Sequence, residues 1–325
     1  NSILPSSLSL FSSSSDTAKN IFLPISSITP LNAGQWERYL THNHISYPKK
    51  SFVINGLRQG FRIGYTGPRH DTSVIHRTVR NHANSENSTA EHLQFIHDEM
   101  NKELQKSRRA GPFDTAPYDN LLVSPIGVVT KKLSSKLRLV HDYSYPKCGA
   151  RQHTSVNYHI PEENRVTELS SFDEALQLLI ETRNKYKQNS RTPTPVSIFM
   201  CKIDVESAYR LIPVHPDDYH LLGMIWNDKY YIDLVTPFGL ASACQIWEEV
   251  ATALEWIIRI HLDIIVILHY VDDYFVLSPS LAVGQLQIDM ILRLCKILGV
   301  PISASKLIGP TTSLPFLGIG INTVS

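Results

Sequence analysis

The sequence predicts an α+β fold in which helices pack on one face of an antiparallel sheet. Three observations indicate this class: segments with capping signals and apolar residues at helical spacing, a polar turn between two apolar runs, and two stretches typical of buried strands. Helices mixed with antiparallel hairpins favour such an arrangement. With 325 residues, the chain can bury the core of one large domain or of two ordinary ones.

The first part of the chain predicts a poorly ordered segment followed by a basic one. Residues 1–45 begin with a Ser- and Pro-rich stretch and are expected to be poorly ordered. Residues 46–80 contain only one acidic residue. The same stretch has seven basic residues: Lys49, Lys50, Arg58, Arg62, Arg69, Arg77 and Arg80. Two interpretations stay open: a solvated basic face, or a patch that follows a phosphate backbone, with interleaved aromatic rings for stacking.

The overall composition indicates a globular intracellular protein. Apolar residues make up 42% of the chain, charged residues 19%, and the net charge is only +1. None of the four cysteines forms a CxxC pair, which favours a reducing compartment, cytoplasm or nucleus. The longest apolar run, residues 257–271, is too polar to span a membrane. Because the N-terminus lacks Met and a basic signal region, we expect an interior piece of a longer, non-secreted product.

The first predicted helix covers residues 88–109. Ser88 and Glu91 match a capping box, and Gly111-Pro112 predicts the end of the helix. Four apolar residues recur at helical spacing between these signals: Leu93, Ile96, Met100 and Leu104. Arg108 and Arg109 are then expected in the last turn, where cations are favourable.

A hairpin and a second helix follow in the sequence. Two apolar runs, residues 126–129 and 137–140, flank the polar string TKKLSSK, which is typical of a β-hairpin. The next helix is predicted over residues 171–187, where Ser171 and Glu174 form a second capping box.

Buried strands are predicted in the second half of the chain. Residues 196–204 are apolar on both faces, which is typical of a central strand covered on two sides. The string LHYVDDYFVLS predicts two more strands, with Asp272 and Asp273 at the turn between them. Helical spacing returns over residues 280–298, and Gly299 predicts the end of that helix.

Three aspartates suggest a metal site if two of these elements are neighbours. When the turn at Asp272 and Asp273 lies beside the end of the strand that finishes in Asp204, three carboxylates converge. Such a cluster is costly without cations, and hard oxygen ligands suit Mg²⁺. Two such ions can support phosphoryl transfer. For an isolated pair of aspartates, a cap or a surface turn is the ordinary alternative.

The order of four motifs makes the sequence recognisable. KIDVESAYRLIPVH (202–215), TPFGLASACQIW (236–247), HYVDD (269–273) and FLGI (316–319) follow the hairpin in that order. Over residues 110–320 the chain resembles the reverse transcriptase domain of retroelements. The strings FVINGLRQGFRIGYTGPR, SPIGVVTKK, LRLVHDYSYP and SVN are similar to tyrosine-recombinase-bearing (DIRS-type) retrotransposons, and they extend the resemblance back to about residue 46.

The resemblance implies a right-hand polymerase fold with fingers and palm but no thumb. In this interpretation a poorly ordered segment covers residues 1–45. A basic extension and the fingers cover residues 46–196. The palm covers residues 197–325, with part of the fingers at 210–240.

The resemblance also implies the metal and sugar contacts. Asp204, Asp272 and Asp273 match the aspartates that hold two Mg²⁺ ions, which Mn²⁺ can replace, and the carbonyl of Val205 would complete one coordination shell. Tyr209 matches the steric gate, whose ring clashes with a 2′-hydroxyl. A packed core aromatic is the alternative for Tyr209, and the two roles are compatible.

Further residues match the nucleotide-binding positions of the family. Lys131 and Arg138 correspond to the fingers residues that grip the triphosphate, where a point cation and a forked guanidinium are suited to the charge. Phe238 and Gly239 correspond to the segment that supports the nascent base pair. Lys306 corresponds to a lysine near the triphosphate, a general acid toward pyrophosphate. A solvated hairpin tip is the alternative for Lys131 and Arg138, and a core position for Phe238.

Two residues differ from those usual in the family, whereas a short apolar string matches one of its hairpins. Cys244 stands where relatives usually have proline, and Trp247 where they usually have phenylalanine. Leu317-Gly318 matches the primer-grip hairpin.

The resemblance implies an RNA-directed DNA polymerase that uses an RNA template, a DNA primer and dNTPs, without a membrane partner. One alternative is a catalytically silent, polymerase-like RNA-binding remnant. Another is a polymerase of the retron or group II intron type.

Overall fold

The computed structural model describes residues 23–68, 89–130, 136–147, 154–189 and 197–324. In chain order, the helices are α1 (Ile25–Ile28), α2 (Ala33–Tyr39), α3 (Lys50–Gln59), α4 (Ala90–Gln105), α5 (Phe172–Asn189), α6 (Ala243–Leu262) and α7 (Leu281–Leu298). The strands are β1 (Thr41–His42), β2 (Ile45–Ser46), β3 (Arg109–Phe113), β4 (Ile126–Thr130), β5 (Leu137–His141), β6 (Phe199–Asp204), β7 (Gly223–Trp226), β8 (Lys229–Asp233), β9 (Ile267–Tyr270), β10 (Asp273–Ser278), β11 (Ile308–Thr311), β12 (Ser313–Phe316) and β13 (Ile319–Asn322).

A four-stranded antiparallel sheet in the order β11-β6-β10-β9 forms the centre of the second half of the chain. Alternation along β6 sends Cys201 and Ile203 into one hydrophobic core, with α6 and α7, and Met200 into another on the opposite face. That opposite core also includes residues of α5 and of the β12–β13 hairpin. The mixed α+β class is thus observed, and α5 adds a helix to the face that was expected to carry none.

Helices α6 and α7 cover the sheet with continuous apolar faces. Ile246, Val250, Leu254 and Ile257 recur at helical spacing on α6 and are all buried. Helix α7 begins where Ser280 Oγ accepts a hydrogen bond from Val283 N, and ends before Gly299. No helix in the described ranges is both long and apolar enough to cross a membrane.

Gly299 is required at the end of α7 by its conformation and its surroundings. Its φ is 76°, and a Cβ at this position would lie 1.9 Å from the carbonyl oxygen of Pro30. A side chain here would push away the N-terminal segment, so the helix end predicted from sequence also serves as a docking point.

Residues 23–45 are ordered, which differs from the expectation for residues 1–45. Trp36 of α2 is fully buried, and its Nε1 donates a hydrogen bond to Leu298 O at 3.0 Å. Thr29 Oγ1 donates to Leu211 O at 2.6 Å. The Ser-rich composition that suggested disorder belongs mainly to residues 1–22, which lie outside the described residues, whereas the apolar residues after them fill the core beside α6 and α7.

The basic segment that follows is paired with acids. Arg62 donates two hydrogen bonds to the carboxylate of Asp218, at 2.8 and 2.9 Å. Lys49 pairs with Glu249 and Arg58 with Glu37. Phe61, one of the interleaved rings, is buried in the core. Among the described residues, the pairs of Lys49 and Arg62 with acids of the second half, and the burial of Phe61, favour a segment packed on the rest of the protein over a free phosphate-binding patch. Arg69, Arg77 and Arg80 lie outside the described residues.

Helix α4 is shorter than predicted. It begins after Thr89, whose Oγ1 accepts a hydrogen bond from His92 N, and it ends at Gln105. Arg109 is not in a last helical turn but starts strand β3, because its guanidinium is drawn into the interior by Asp233 of β8. A buried ion pair has therefore overridden the local helical signal.

Most other local predictions are observed, but Asp273, predicted at the turn with Asp272, is instead the first residue of β10. Strands β4 and β5 form the expected antiparallel hairpin, with Ile126 opposite His141. The capping box of α5 is formed in both directions: Ser171 N donates to Glu174 Oε2 at 2.5 Å, and Glu174 N donates to Ser171 Oγ at 3.1 Å. Strands β12 and β13 are joined by Leu317 and Gly318, both with positive φ, as in the tight turn of a two-residue hairpin.

Candidate active site

The backbone of the central sheet brings the three aspartates together. Strands β6 and β10 are antiparallel, and their register places Asp273 opposite Asp204. Beyond this pair, Val205 N donates a hydrogen bond to Asp272 O at 2.8 Å. Asp204 and Asp273, as directly opposite residues, project from the same face of the sheet. The predicted convergence at one end of the sheet is thus present in the backbone.

The side chains of this cluster are held by two lysines. Lys306 Nζ donates to Asp204 Oδ2 at 2.7 Å. Lys202 Nζ lies 3.2 and 3.3 Å from the two carboxylate oxygens of Asp273. Within the described part of the chain, no three acidic, histidine or cysteine side chains are arranged to hold one metal ion. The carboxylates of Asp204 and Asp273 are therefore each paired with a lysine.

Burial and mutual repulsion both disfavour the ionised carboxylates of the cluster. Burial, followed by the charges of Asp204 and Asp273, raises the pKa of Asp272. Burial also raises the pKa of Asp273, although Lys202 opposes the shift. The Asp204 Oδ1 atom is buried and has no hydrogen-bond partner. An acceptor left unpaired beside carboxylates with raised pKa values fits a site for a hard cation.

A cleft of about 560 Å³ opens next to the aspartates. Its lining includes four of the residues predicted to bind nucleotide, together with one aspartate: Arg138, Tyr209, Phe238, Lys306 and Asp272. These residues are up to 168 positions apart in the sequence, and the fold brings them together around the cleft. Lys131 lies outside the described residues.

Tyr209 forms part of the wall of this cleft. Its ring centroid lies 5.5 Å from that of Phe238, and its backbone oxygen accepts a hydrogen bond from Thr236 Oγ1 at 2.6 Å. Burial, and then a hydrogen bond with Cys244, raise the pKa of the Tyr209 hydroxyl well above its usual range. The ring is therefore neutral, half-buried and held in place from several sides.

Arg138 lies over the same aromatic ring. Its guanidinium carbon is 4.8 Å from the centroid of Phe238, which is close enough for a cation–π interaction. Arg138 belongs to β5, so this contact links the hairpin to the segment before α6.

The segment at Phe238 and Gly239 is held from two sides. Gly239 has a φ of 101°, and a Cβ there would lie 2.0 Å from His141 O, so only glycine fits. Asn157 Nδ2 donates to Gly239 O, and Asn157 Oδ1 accepts from Ala241 N, both at 2.9 Å. Sequence reasoning did not identify Asn157. Its only signal was its place at the end of the string SVN.

A buried ionic cluster, formed by Glu103, Arg109, Arg210 and Asp233, lies behind the cleft. Arg210 Nη2 is 2.8 Å from Asp233 Oδ1, and Arg210 Nε is 2.8 Å from Glu103 Oε2. Although burial opposes the shift, Arg109 and Arg210 lower the pKa of Asp233 to about 2. Arg210 follows Tyr209 in the chain, so the cluster anchors the turn that carries the predicted gate.

A second charged group supports the strand before the aspartates. His269 of β9 lies between two glutamates of α6, with Nε2 2.9 Å from Glu248 Oε1 and Nδ1 2.6 Å from Glu255 Oε2. Burial opposes protonation, but the two glutamates outweigh it and raise the pKa of His269 to about 9. The imidazolium therefore persists at neutral pH.

We expect the stability of the protein to fall between pH 6.5 and pH 9. Because the folded-state pKa of His269 exceeds that of the unfolded chain, its contribution is complete below pH 6.5 and is lost as pH rises through about 9. The loss amounts to about 3 kcal/mol. Urea unfolding across this range measures it. In His269→Gln, which cannot titrate, this decline should be absent; an equal decline in that variant would assign it to other groups.

The sequence is similar to a known protein family and to viral polyproteins. Residues 128–321 match the family model described as "Reverse transcriptase (RNA-dependent DNA polymerase)". The genome polyprotein of Petunia vein clearing virus (isolate Shepherd) is 25% identical over 147 residues, which cover 42% of this chain and 6% of the polyprotein. The polyprotein of isolate Hohn matches with the same values.

Solved structures of a foamy viral protease-reverse transcriptase share the fold. The structure of a form designated dRH, in complex with double-stranded DNA, has a TM-score of 0.54 at 16% identity, covering 99% of this chain and 48% of that one. The complex with an RNA/DNA hybrid has a TM-score of 0.51 at 16% identity, covering 90% of this chain and 36% of that one. The chain thus spans about half or less of these relatives, and the similarity confirms the predicted partial polymerase fold.

Proposed function

We propose that this chain, which belongs to the reverse transcriptase family, is the RNA-directed DNA polymerase of a DIRS-type retrotransposon. It would transfer nucleotides from dNTPs to a primer 3′-hydroxyl. One observation carries the proposal: the register that sets Asp273 opposite Asp204, with Asp272 lining a cleft that also holds Arg138 and Tyr209.

The three aspartates are the residues that would hold Mg²⁺, or Mn²⁺ in its place, with the carbonyl of Val205 as a further ligand. Two bound ions supply activation of the primer hydroxyl and stabilisation of the leaving pyrophosphate. The unpaired Oδ1 of Asp204 supports this assignment. Lys202 and Lys306 neutralise part of the negative charge of the same cluster.

We assign the triphosphate contacts to two cationic side chains, of which Arg138 lies in the described cleft. Arg138 presents a forked guanidinium at the cleft wall, oriented by the ring of Phe238. Lys131, which belongs to the polar string TKKLSSK and lies outside the described residues, is proposed as its partner. Phe238 and Gly239 are proposed to support the new base pair, because Asn157 and His141 hold their backbone in place.

Lys306 is proposed as the acid that protonates the leaving pyrophosphate. Burial lowers its pKa, but the hydrogen bond with Asp204 and the charges of the other aspartates outweigh burial, so the pKa is raised above its usual value. Lys306 is therefore protonated at neutral pH, and its pairing with Asp204 makes it a weaker acid than an isolated lysine, so the proposed proton transfer requires the negative charge of the aspartates to be neutralised first.

The proposed partners are an RNA template and a DNA primer. Both double-stranded DNA and an RNA/DNA hybrid are bound by the foamy viral proteins that share this fold. A cleft lined by cations and aromatic rings beside the aspartates is consistent with a primer end and an incoming dNTP.

Primer extension tests the proposed function. The purified chain is incubated with poly(rA), oligo(dT), dTTP and Mg²⁺ or Mn²⁺, and Asp272→Asn serves as the inactive control. We expect extension by the wild-type chain that the control lacks. Binding of the hybrid without extension in either metal would instead support the catalytically silent RNA-binding alternative.

Tyr209→Val should relax sugar selection. The smaller side chain leaves room for a 2′-hydroxyl, so we expect ribonucleotide incorporation relative to deoxynucleotide incorporation to rise about tenfold or more. Single-nucleotide extension with dTTP and UTP measures the ratio. Tyr209→Phe is the matched control, because it keeps the ring and should keep the ratio; unchanged selection in Tyr209→Val would refute the gate.

A further inference from the structure

The turn that carries Asp272 is conformationally strained. It has two residues, Val271 and Asp272, and it connects Tyr270 to Asp273, which are paired across β9 and β10. Val271 has a φ of 56°, in the left-handed region that β-branched residues rarely adopt. Such a conformation persists only where surrounding contacts impose it.

Two donors from different elements hold the two carbonyl groups of this turn. Val205 N, directly after β6, donates to Asp272 O at 2.8 Å. Trp247 Nε1 of α6 donates to Val271 O, also at 2.8 Å. The indole N–H is the only donor of the Trp247 side chain, and it is committed to this bond. The turn is therefore tied to the sheet on one side and to α6 on the other.

Helix α6 is a rigid support for this contact. Trp247 is 1% exposed and lies in the core cluster formed with the central sheet and α7. The next residue, Glu248, binds His269 on the strand that leads into the turn. Successive positions of one buried helix thus hold both the strand and the turn.

We propose that Trp247 is a positioning residue for the metal-binding aspartates. Its indole N–H fixes the peptide between Val271 and Asp272 and keeps Val271 in its left-handed conformation. That peptide sets the direction in which the carboxylates of Asp272 and Asp273 leave the backbone. Trp247 itself contacts neither substrate nor metal. The inference rests on the proposed function in one respect, namely that these aspartates bind divalent cations.

Trp247→Phe tests the proposal because it keeps an aromatic ring in the core and removes the donor together with part of the indole volume; Trp256→Phe makes the same chemical change on the same helix. We expect the dissociation constant for Mn²⁺, measured from the electron paramagnetic resonance signal of the free ion, to rise about tenfold, the size expected from one lost bond to a buried carbonyl. In primer extension, kcat should fall by a similar factor. The KM for dTTP should stay within about twofold, since the triphosphate contacts are untouched.

Trp256→Phe is the matched control on the same helix. Trp256 is half-buried beside the rings of Tyr47 and His261 and makes no bond to the turn. It should leave Mn²⁺ binding and kcat unchanged. The melting temperature of both variants is measured alongside, so that a general loss of stability can be separated from a local one.

The outcomes distinguish the positioning role from the proposed function. Unchanged Mn²⁺ binding in Trp247→Phe would overturn the inference, as would an equal weakening in Trp256→Phe. A wild-type chain that binds no Mn²⁺ would overturn it as well. If the wild-type chain binds Mn²⁺ but extends no primer, and Trp247→Phe still weakens binding, the inference stands while the proposed polymerase activity fails.

Discussion

Asp272→Asn is expected to abolish primer extension, lowering kcat by about a thousandfold or more, while raising the melting temperature in metal-free buffer. The first effect follows because the amide cannot supply the negative charge that a divalent cation requires. The second follows from the pKa of Asp272, which burial and the neighbouring aspartates raise. An acid whose pKa is raised by folding destabilises the fold when it is ionised, so at neutral pH its neutral replacement relieves repulsion.

Added Mg²⁺ should distinguish the wild-type chain from Asp272→Asn. Mg²⁺ binds only the folded protein and should raise the melting temperature of the wild-type chain, but much less that of Asp272→Asn. Asp289→Asn on α7 is the control, because it makes the same chemical change in a side chain that accepts its hydrogen bond from Gln285 of the same helix. Retention of more than about a tenth of the activity in Asp272→Asn, or a lower melting temperature without metal, would contradict the assignment of Asp272.

Arg210→Met is expected to lower the free energy of unfolding by about 3–5 kcal/mol. Arg210 is buried between Glu103 and Asp233 and donates hydrogen bonds to both carboxylates. Its removal leaves both buried charges without these hydrogen bonds. Among the described residues, Asp233 keeps Arg109 and His141, whereas Glu103 keeps Arg108, at 3.9 Å. The larger cost therefore falls on Glu103. Denaturant unfolding at pH 7 measures the change.

A double variant separates the charge from the packing of Arg210. Glu103→Gln combined with Arg210→Met removes the stranded carboxylate, so it should be more stable than Arg210→Met alone. Arg210→Lys keeps the charge but not the forked geometry, and it should lie between wild type and Arg210→Met. If Arg210→Met unfolds within about 0.5 kcal/mol of wild type, the ionic cluster is not a structural anchor.

Local signals predicted most of the secondary structure. The capping box at Ser171 and Glu174 and the glycine after α7 act within a few residues, so they can be recognised without knowledge of the fold. The same holds for the β4–β5 hairpin, whose polar turn separates two apolar runs. These interactions depend on neighbours in the chain, and the structure contains them at nearly the predicted positions.

The predictions failed where distant partners decide the outcome. Composition predicts poor order for residues 1–45, but Trp36 is buried in the core beside α7 and donates a hydrogen bond to Leu298 O. The local pattern predicts Arg109 in the last turn of a helix, but Asp233, 124 positions away, pairs with its guanidinium in the interior. Of the two interpretations of the basic segment, the phosphate-binding patch is disfavoured for its described residues, because distant acids pair with Arg62 and Lys49. No local pattern contains such partners.

The same division applies to the candidate site. By itself, the sequence determined the chemical groups: the order of its motifs, and not the aspartate pair alone, singled out Asp204, Asp272 and Asp273 as candidate metal ligands. Only the tertiary structure decided what surrounds them. The pairing of Lys202 and Lys306 with the aspartates, and the bond from Trp247 to the strained turn, join residues that are 24 to 102 positions apart. Such contacts depend on how the sheet and its helices pack, and that packing is a property of the whole chain.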